Sequence, residues 1–241
     1  MATLPMRASL PRVKLEVLED CSPPAVPGYF LRMRRYRLRN RYEDGSVSRP
    51  FHYDLAERQA LDAVGTVLWR ARAGRVQVCL RGQLRPPLAF RGNCTLPLPD
   101  DETTSCQWEI PAGLVEPSET GRAGLLRCAV RECWEETGLR IAETDLRPLG
   151  TALTLSAGVI AEKIYLYRAR AFESDARGTP ISDGSPVEEH APVEFFDLEA
   201  VFEAIAQGEI TDMKTELALR RFAALDLGSP MDSQHPGGES Q

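Results

Sequence analysis

The sequence predicts an α/β domain that follows a small antiparallel β unit. Near the N-terminus, apolar and polar residues alternate in short runs on both sides of a tight turn with Asp-Gly at its centre. Farther along, alternating strands are interspersed with amphipathic helical stretches, which is typical of an α/β fold. We therefore expect an N-terminal β unit over 11–58 and a larger domain over 59–227.

The individual elements follow from the alternation of apolar and polar residues in strands and from the amphipathic pattern of helices. The strands of the N-terminal unit are predicted at 13–18, 30–41 and 47–55, with the turn at 42–46. Those of the larger domain are predicted at 63–70, 75–81, 146–155, 163–172 and 193–197. Helices are expected up to Gly138, over 198–206, and over 213–225 behind Asp212 as N-cap. The segments predicted to be disordered are 1–10 and the low-complexity stretch 228–241.

Composition excludes several functional classes. The 241 residues carry a net charge of −6 and 43% of them are hydrophobic, which predicts a proper core and argues against a general nucleic-acid or membrane-surface binder. No apolar run approaches the roughly 20 residues that span a bilayer, and the N-terminus lacks the apolar segment of a secretory signal. Six cysteines without a C-x-x-C pair are typical of reduced thiols, so we expect a cytoplasmic protein.

One stretch of the larger domain concentrates acidic residues. Glu132, Glu135 and Glu136 lie within five residues and share one side of a helix. Because carboxylates this close repel one another, a cation is expected to compensate them, and hard ions such as Mg²⁺ prefer carboxylate oxygens. The alternative is that the cluster is solvated helix surface. The surrounding residues favour the metal.

This context resembles the Nudix box, G-x5-E-x7-R-E-U-x-E-E-x-G-U. The matching residues are Gly113, Glu119, Arg131, Glu132, Glu135, Glu136, Gly138 and Leu139. The resemblance implies an α/β/α sandwich with a mixed sheet and the box helix packed against it. It also implies that Glu132, Glu136 and Glu135 bind divalent ions. By the same resemblance, Arg131 orients these glutamates and the backbone carbonyl of Ala112 completes the metal shell.

The box departs from the family pattern at one point. Eleven residues, rather than seven, separate Glu119 from Arg131. The surplus falls in 120–124, where Gly121 and Gly124 favour a longer loop before the helix. The insertion leaves the role of Glu119 open.

Three further motifs resemble the ADP-ribose and nucleotide-sugar pyrophosphatase branch of this family. The run Gln83-Leu84-Arg85-Pro86-Pro87 resembles R-Q-x-R-P-P and implies that Arg85 lies near the substrate phosphates; the alternative is a surface arginine. The loop 156–162 resembles S-x-G-x-x-x-E and implies that Glu162 is the general base; the alternative is a solvated carboxylate. Residues 208–215 resemble G-x-I-x-D-x-K-T, although capping the last helix is enough to explain Asp212.

The branch implies a function. We expect Mg²⁺-dependent hydrolysis, with Mn²⁺ as a substitute, of a nucleoside diphosphate linked to a sugar, with ADP-ribose or a nucleotide sugar favoured. The products would be a nucleoside monophosphate and a sugar phosphate. The branch also implies a homodimer formed through 11–58. The polar stretch 90–107 either shapes the substrate pocket or is a surface excursion.

Two other functions stay open on the sequence. One is a Nudix hydrolase acting on a different diphosphate, such as a dinucleoside polyphosphate or CoA. The other is a non-catalytic, nucleotide-sensing Nudix domain, although the three helix carboxylates are all retained.

Overall fold

The computed structural model of the protein describes residues 11–98, 105–172, 186–187 and 191–225. The predictions of disorder for 1–10 and 228–241 lie outside these residues. The chain forms two compact units: one comprises residues up to Leu61 together with Ser156–Ala161, and the other comprises Asp62–Leu155 and the residues from Glu162 onward. No helix in the described ranges is long and apolar enough to cross a membrane.

The first unit contains the predicted antiparallel β unit. Its strands are β1 (Lys14–Asp20), β2 (Arg32–Arg41) and β3 (Phe51–Glu57), in the order β1-β2-β3. Val17, Leu38 and Phe51 stand in register across the sheet, whereas Glu16 and Arg39 form an ion pair from the adjacent positions. At these positions one face of the sheet is apolar and the other carries an arginine–carboxylate pair; farther along β2, Arg34 on the face of Leu38 pairs with Asp20.

The segment Ser156–Ala161 belongs to this first unit. The N–H of Ala56 donates to the carbonyl of Val159 at 2.8 Å, and the Tyr53 hydroxyl donates to the carbonyl of Gly158 at 2.8 Å. The sequence had grouped these loop residues with the larger domain, so the unit boundaries differ from the expected ones here. Local periodicity could not show this, because about 100 residues separate the loop from β3.

In the second unit, the described residues form one mixed sheet of eight strands. The strands are β4 (Ala63–Arg72), β5 (Arg75–Leu84), β6 (Cys106–Glu109), β7 (Ala112–Leu114), β8 (Arg147–Pro148), β9 (Leu153–Thr154), β10 (Lys163–Arg170) and β11 (Val193–Asp197). The main order is β11-β5-β4-β10-β8, with β6 beside β5, β7 beside β4 and β9 beside β10. Because β10 is parallel to β4 while β5 is antiparallel to it, the predicted mixed sheet is confirmed.

Helices cover both faces of this sheet. They are α1 (Pro86–Ala89), α2 (Gly121–Thr137), α3 (Leu198–Gln207) and α4 (Met213–Ala223), with 3₁₀ turns at Arg91–Asn93 and Glu143–Asp145. Leu68 of β4 belongs to a core shared with Ala129 of α2, whereas its neighbour Val67 belongs to a core shared with Phe222 of α4. Successive residues of one strand thus face opposite helical layers, and the predicted α/β/α arrangement is confirmed.

One predicted strand of the larger domain is wrong as a single element. The stretch 146–155 forms two short strands, β8 and β9, because Gly150 between them has a φ of 86°. A positive φ interrupts extended backbone and favours glycine. Arg221 donates to the carbonyls of Leu149 and Thr151, at 2.7 and 3.0 Å, and so stabilises the break.

Candidate functional site

Glu132, Glu135 and Glu136, which we call the acidic ridge, lie on α2. This helix begins earlier than predicted. Thr120 is the extended N-cap, and α2 runs from Gly121, which itself has a φ of 65°. Residues 122–124 are therefore helical, and the predicted longer loop is wrong. Four residues add about one turn to a helix of 3.6 residues per turn, so the added turn barely rotates the faces that follow. Gly124 is required in the added turn, because a Cβ there would overlap the backbone of Glu119.

Glu119 remains bound to the box despite the added turn. Nε and Nη2 of Arg131 donate to its two carboxylate oxygens at 3.1 and 3.0 Å, and the N–H of Glu116 donates to it at 2.9 Å. Burial opposes the charge of Glu119, but the hydrogen bonds from Arg131 and from the N–H of Glu116, together with the charge of Arg131, outweigh it and lower the pKa of the carboxyl. The interaction that the sequence left open is therefore an ion pair with Arg131.

Arg131 also contacts two of the predicted metal ligands. Its Nη1 donates to Glu132 at 2.7 Å and to Glu135 at 3.1 Å, and its Nη2 donates to the carbonyl of Leu114 at 3.0 Å. One guanidinium therefore links three carboxylates to the backbone of β7. These contacts support the orienting role that the resemblance implies for Arg131.

Glu132 packs directly on Gly113, and this packing makes a substitution informative. A Cβ at Gly113 would overlap the Glu132 carboxylate, so Gly113→Ala must displace that side chain. We expect kcat to fall roughly tenfold or more, as when a partner that positions a metal ligand is lost. The thermal midpoint should move by only about a few degrees, because a flexible side chain can yield. Kinetics and thermal unfolding on one preparation test this; an unchanged kcat would contradict it.

Glu136 is the most deeply buried of the three box glutamates. Its side chain is 7% exposed, its Oε1 accepts a hydrogen bond from Arg81 of β5, and its Oε2 accepts the N–H of Ala112 at 2.7 Å. The structure thus brings the predicted residues Glu136 and Ala112 together, through the N–H of Ala112. Arg81 was missed by the sequence analysis, although an arginine at an inward position of an apolar strand was a usable signal.

Arg85, the predicted phosphate contact, belongs to a second charged cluster. Its Nε and Nη2 donate to the two carboxylate oxygens of Glu109, both at 2.6 Å. Glu109 also accepts a hydrogen bond from Lys214. The Glu109 side chain is 2% exposed and that of Arg85 is 41% exposed. Glu109 therefore anchors a guanidinium that still reaches the surface.

The predicted motif at 208–215 joins this second cluster to α4. Asp212 caps α4 as predicted, accepting the N–H of Thr215 at 2.9 Å, and it also accepts a hydrogen bond from Lys214 at 2.9 Å. The N–H of Ile110 donates to the Thr215 hydroxyl at 2.9 Å. The contact between Lys214 and Glu109 was missed, because the two residues are 105 positions apart in the chain.

Acid unfolding is expected to report on Glu109. Burial raises the pKa of Glu109, but Arg85 and Lys214 outweigh it and lower that pKa from 4.5 to about 2. The resulting stabilisation is present above about pH 4.5 and is lost as the pH falls toward 2. At about 1.4 kcal/mol per pKa unit it amounts to about 3 kcal/mol.

Urea unfolding of wild type and Glu109→Gln between about pH 2 and pH 7 measures this contribution. The gap in unfolding free energy between the two proteins should be largest at neutral pH and should shrink steadily below about pH 4.5. A gap that stays constant over this acidic range would contradict the assignment.

Glu162 and Trp134 are two further residues that the sequence singled out. Glu162 directly precedes β10 and is half-buried, next to Lys163, whose N–H donates to Asp62 at 3.0 Å. At this end, β4 pairs with β10 along one edge and with β7 along the other, so Glu162 precedes the strand end that lies across β4 from Gly113 of the box. Its role as general base stays a prediction. The ring of Trp134 is covered by the Arg140 guanidinium, 4.1 Å from the ring centroid.

The donor chemistry of the ridge suits a hard divalent ion. The three box glutamates offer carboxylate oxygens, whereas burial raises the pKa of the Cys128 and Cys133 thiols and so disfavours thiolate ligands. Within the described ranges, no three acidic, His or Cys side chains converge as a ready-made metal cluster. In this structure the guanidinium groups of Arg81 and Arg131 form ion pairs with carboxylates of the ridge, Arg81 with Glu136 and Arg131 with Glu132.

A mixed sheet between helical layers, with an acidic helix whose carboxylates pair with Arg81 and Arg131, defines the class of this α/β protein. The family model described as NUDIX domain matches residues 88–215. The chain therefore belongs to the Nudix family, and the prediction of a Nudix hydrolase is confirmed at the level of the family.

A comparison with solved structures bears on the fold. A solved structure described as "Crystal structure of ADP compounds hydrolase" superposes with a TM-score of 0.58 at 16% identity, covering 87% of this chain and 92% of that chain. At this identity the similarity shows a shared fold. No match was found among curated proteins.

Proposed function

We propose that this chain is a Mg²⁺-dependent pyrophosphatase acting on a nucleoside diphosphate linked to a sugar, either ADP-ribose or a nucleotide sugar. The products are a nucleoside monophosphate and a sugar phosphate. The observation that carries the proposal is that the charged cluster around Glu136 and the charged cluster around Glu109 lie side by side on adjacent strands. Arg81, which contacts Glu136 of the box, stands in register opposite Glu109, which anchors Arg85.

Two lines support the sugar-linked diphosphate as substrate. Three motifs of the ADP-ribose and nucleotide-sugar branch occur in the chain, around Arg85, Glu162 and Asp212. The similar solved structure is described as an ADP compounds hydrolase. The proposal extends that activity to this chain.

The proposed ion is held by the box. Its ligands would be Glu132, Glu135 and Glu136, with the backbone carbonyl of Ala112. When bound, a divalent ion such as Mg²⁺ or Mn²⁺ neutralises the diphosphate and lowers the pKa of a bound water.

The other residues bind, orient and move a proton. Arg131 keeps Glu132 and Glu135 in place through hydrogen bonds of 2.7 and 3.1 Å. Arg85 presents its guanidinium to a phosphate while Glu109 holds the opposite edge. Glu162 accepts the proton of the water that attacks phosphorus, and the anhydride P–O bond to the leaving phosphate breaks.

The homodimer and the cytoplasmic location are also proposals. The N-terminal sheet exposes apolar side chains on one face, with Leu15 64% and Val17 59% exposed, and a second copy of this sheet could bury them. Light scattering of the full chain tests the dimer. All six cysteines are free thiols, which supports a reducing compartment.

A substrate panel tests the proposed function. ADP-ribose, UDP-glucose and GDP-mannose, together with a dinucleoside polyphosphate and CoA, are incubated with the protein in Mg²⁺ or in EDTA. We expect Mg²⁺-dependent release of the nucleoside monophosphate from at least one sugar-linked diphosphate. Turnover confined to the other diphosphates would reassign the substrate, and no turnover with any of them would favour a nucleotide sensor.

A further inference from the structure

Arg81 donates a hydrogen bond to Oε1 of Glu136, one of the proposed ligands of the metal ion. We propose that Arg81 and the divalent ion compete for Glu136, so that the ion binds there only after the Arg81 guanidinium has left. This inference rests on the proposed function, in which Glu136 is a metal ligand. It concerns a residue outside the box and outside the motifs that the sequence analysis identified.

Both oxygens of the Glu136 carboxylate are engaged. Oε2 accepts the N–H of Ala112 at 2.7 Å, a backbone contact that is maintained by the pairing of β7 with β4. Oε1 accepts a hydrogen bond from Nη1 of Arg81. Because the backbone cannot withdraw without opening the sheet, the side-chain contact from Arg81 is the one that can yield.

Burial prevents the ion and the guanidinium from sharing the carboxylate. The side chains of Arg81 and Glu136 are 4% and 7% exposed, so solvent screens little of the repulsion between two adjacent cations. Arginine cannot relieve that repulsion by releasing a proton, because the guanidinium stays protonated in proteins. Glu136 carries a single negative charge, and Glu109, the carboxylate in register with Arg81, already accepts hydrogen bonds from Arg85 and Lys214. The repulsion therefore favours departure of the guanidinium when the ion binds.

Arg81 has an alternative partner once it leaves Glu136. It lies on β5 in register with Glu109 of β6, and Arg85, which directly follows β5, is the proposed phosphate contact. Once displaced, the guanidinium of Arg81 would be a second group, beside Arg85, able to donate two parallel hydrogen bonds to a phosphate of the substrate. Arg81 is thus a positioning residue for Glu136 in the metal-free protein and a cation that metal binding releases.

The test is the affinity of the metal-free, full-length protein for Mn²⁺, measured without substrate from the EPR signal of free Mn²⁺. Wild type is compared with Arg81→Met and with Arg75→Met. Arg75 is the matched control, because it lies on the same strand and pairs with Asp197 while its side chain is 73% exposed. We expect the Kd for Mn²⁺ to fall about tenfold or more in Arg81→Met and to stay within about twofold in Arg75→Met. A Kd in Arg81→Met that is unchanged or higher overturns the proposal.

Wild-type crystals grown with Mn²⁺ give an independent readout, which also covers the case in which Arg81→Met does not fold without metal. An ion on Glu136 with Arg81 turned away supports the competition, whereas an ion on Glu136 with Arg81 still bound to it overturns the competition alone. An ion absent from Glu136 overturns the competition and also the metal assignment in the proposed function. Mn²⁺ bound at Glu136 in an active enzyme, with no gain in affinity in Arg81→Met, leaves the proposed function intact.

Discussion

Glu136→Gln is expected to lower kcat by at least about 100-fold on whichever sugar-linked diphosphate the protein hydrolyses. The substitution keeps the shape of the side chain and removes its charge. It also leaves the buried guanidinium of Arg81 facing a neutral group, so the free energy of unfolding should fall by about 3 kcal/mol. The structure therefore predicts loss of both activity and stability, which kinetics and urea unfolding measure separately.

The double variant Glu136→Gln/Arg81→Met separates these two effects. Removing both charges abolishes the buried, uncompensated cation, so part of the stability should return while kcat stays low. Recovery of turnover in the double variant would show that Glu136→Gln had acted through folding. Unchanged turnover in the single variant would remove Glu136 from the catalytic site.

Lys214→Met should lower the free energy of unfolding by about 3 kcal/mol at neutral pH. Lys214 is one of the cations on Glu109, whose side chain is 2% exposed and whose pKa of about 2 keeps it ionised at that pH. Removing the lysine takes one cation away from this buried carboxylate and breaks the contact that Lys214 makes between α4 and β6. Urea unfolding at constant pH gives the value.

Arg220→Met is the matched control for this loss. Arg220 lies on the same helix and pairs with Glu216, but its side chain is 59% exposed and solvent screens the pair. Its loss should change the unfolding free energy by less than about 1 kcal/mol. If both variants lost the same amount of stability, the buried position of Glu109 would not be what makes the Lys214 contact strong.

Local sequence patterns predicted the elements that carry the site. The spacing of Glu132, Glu135 and Glu136 on a helix was correct, and Gly138 ends that helix with a φ of 69° as expected of a left-handed residue. Asp212 caps α4 as predicted. These features depend on neighbours within one or two helical turns, so the chain next to each residue contains the information.

Contacts between distant segments were beyond the reach of those patterns. The added turn of α2 was predicted as loop because glycines at 121 and 124 favour loops locally. The structure keeps Gly124 in the helix because the chain at Glu119 crosses close to it. A glycine can allow a tight turn, or it can allow another segment of backbone to pass close to it, and the sequence does not distinguish these two uses.

By itself, the sequence determined that this chain has an acidic helix of the Nudix type within an α/β fold. The tertiary structure alone decided which cations hold those acids: Arg131 for Glu119, Glu132 and Glu135, Arg81 for Glu136, and Arg85 with Lys214 for Glu109. The physical reason is that a buried carboxylate must be compensated by whatever cation the fold brings to it. Several of those cations come from strands and helices far away in the chain.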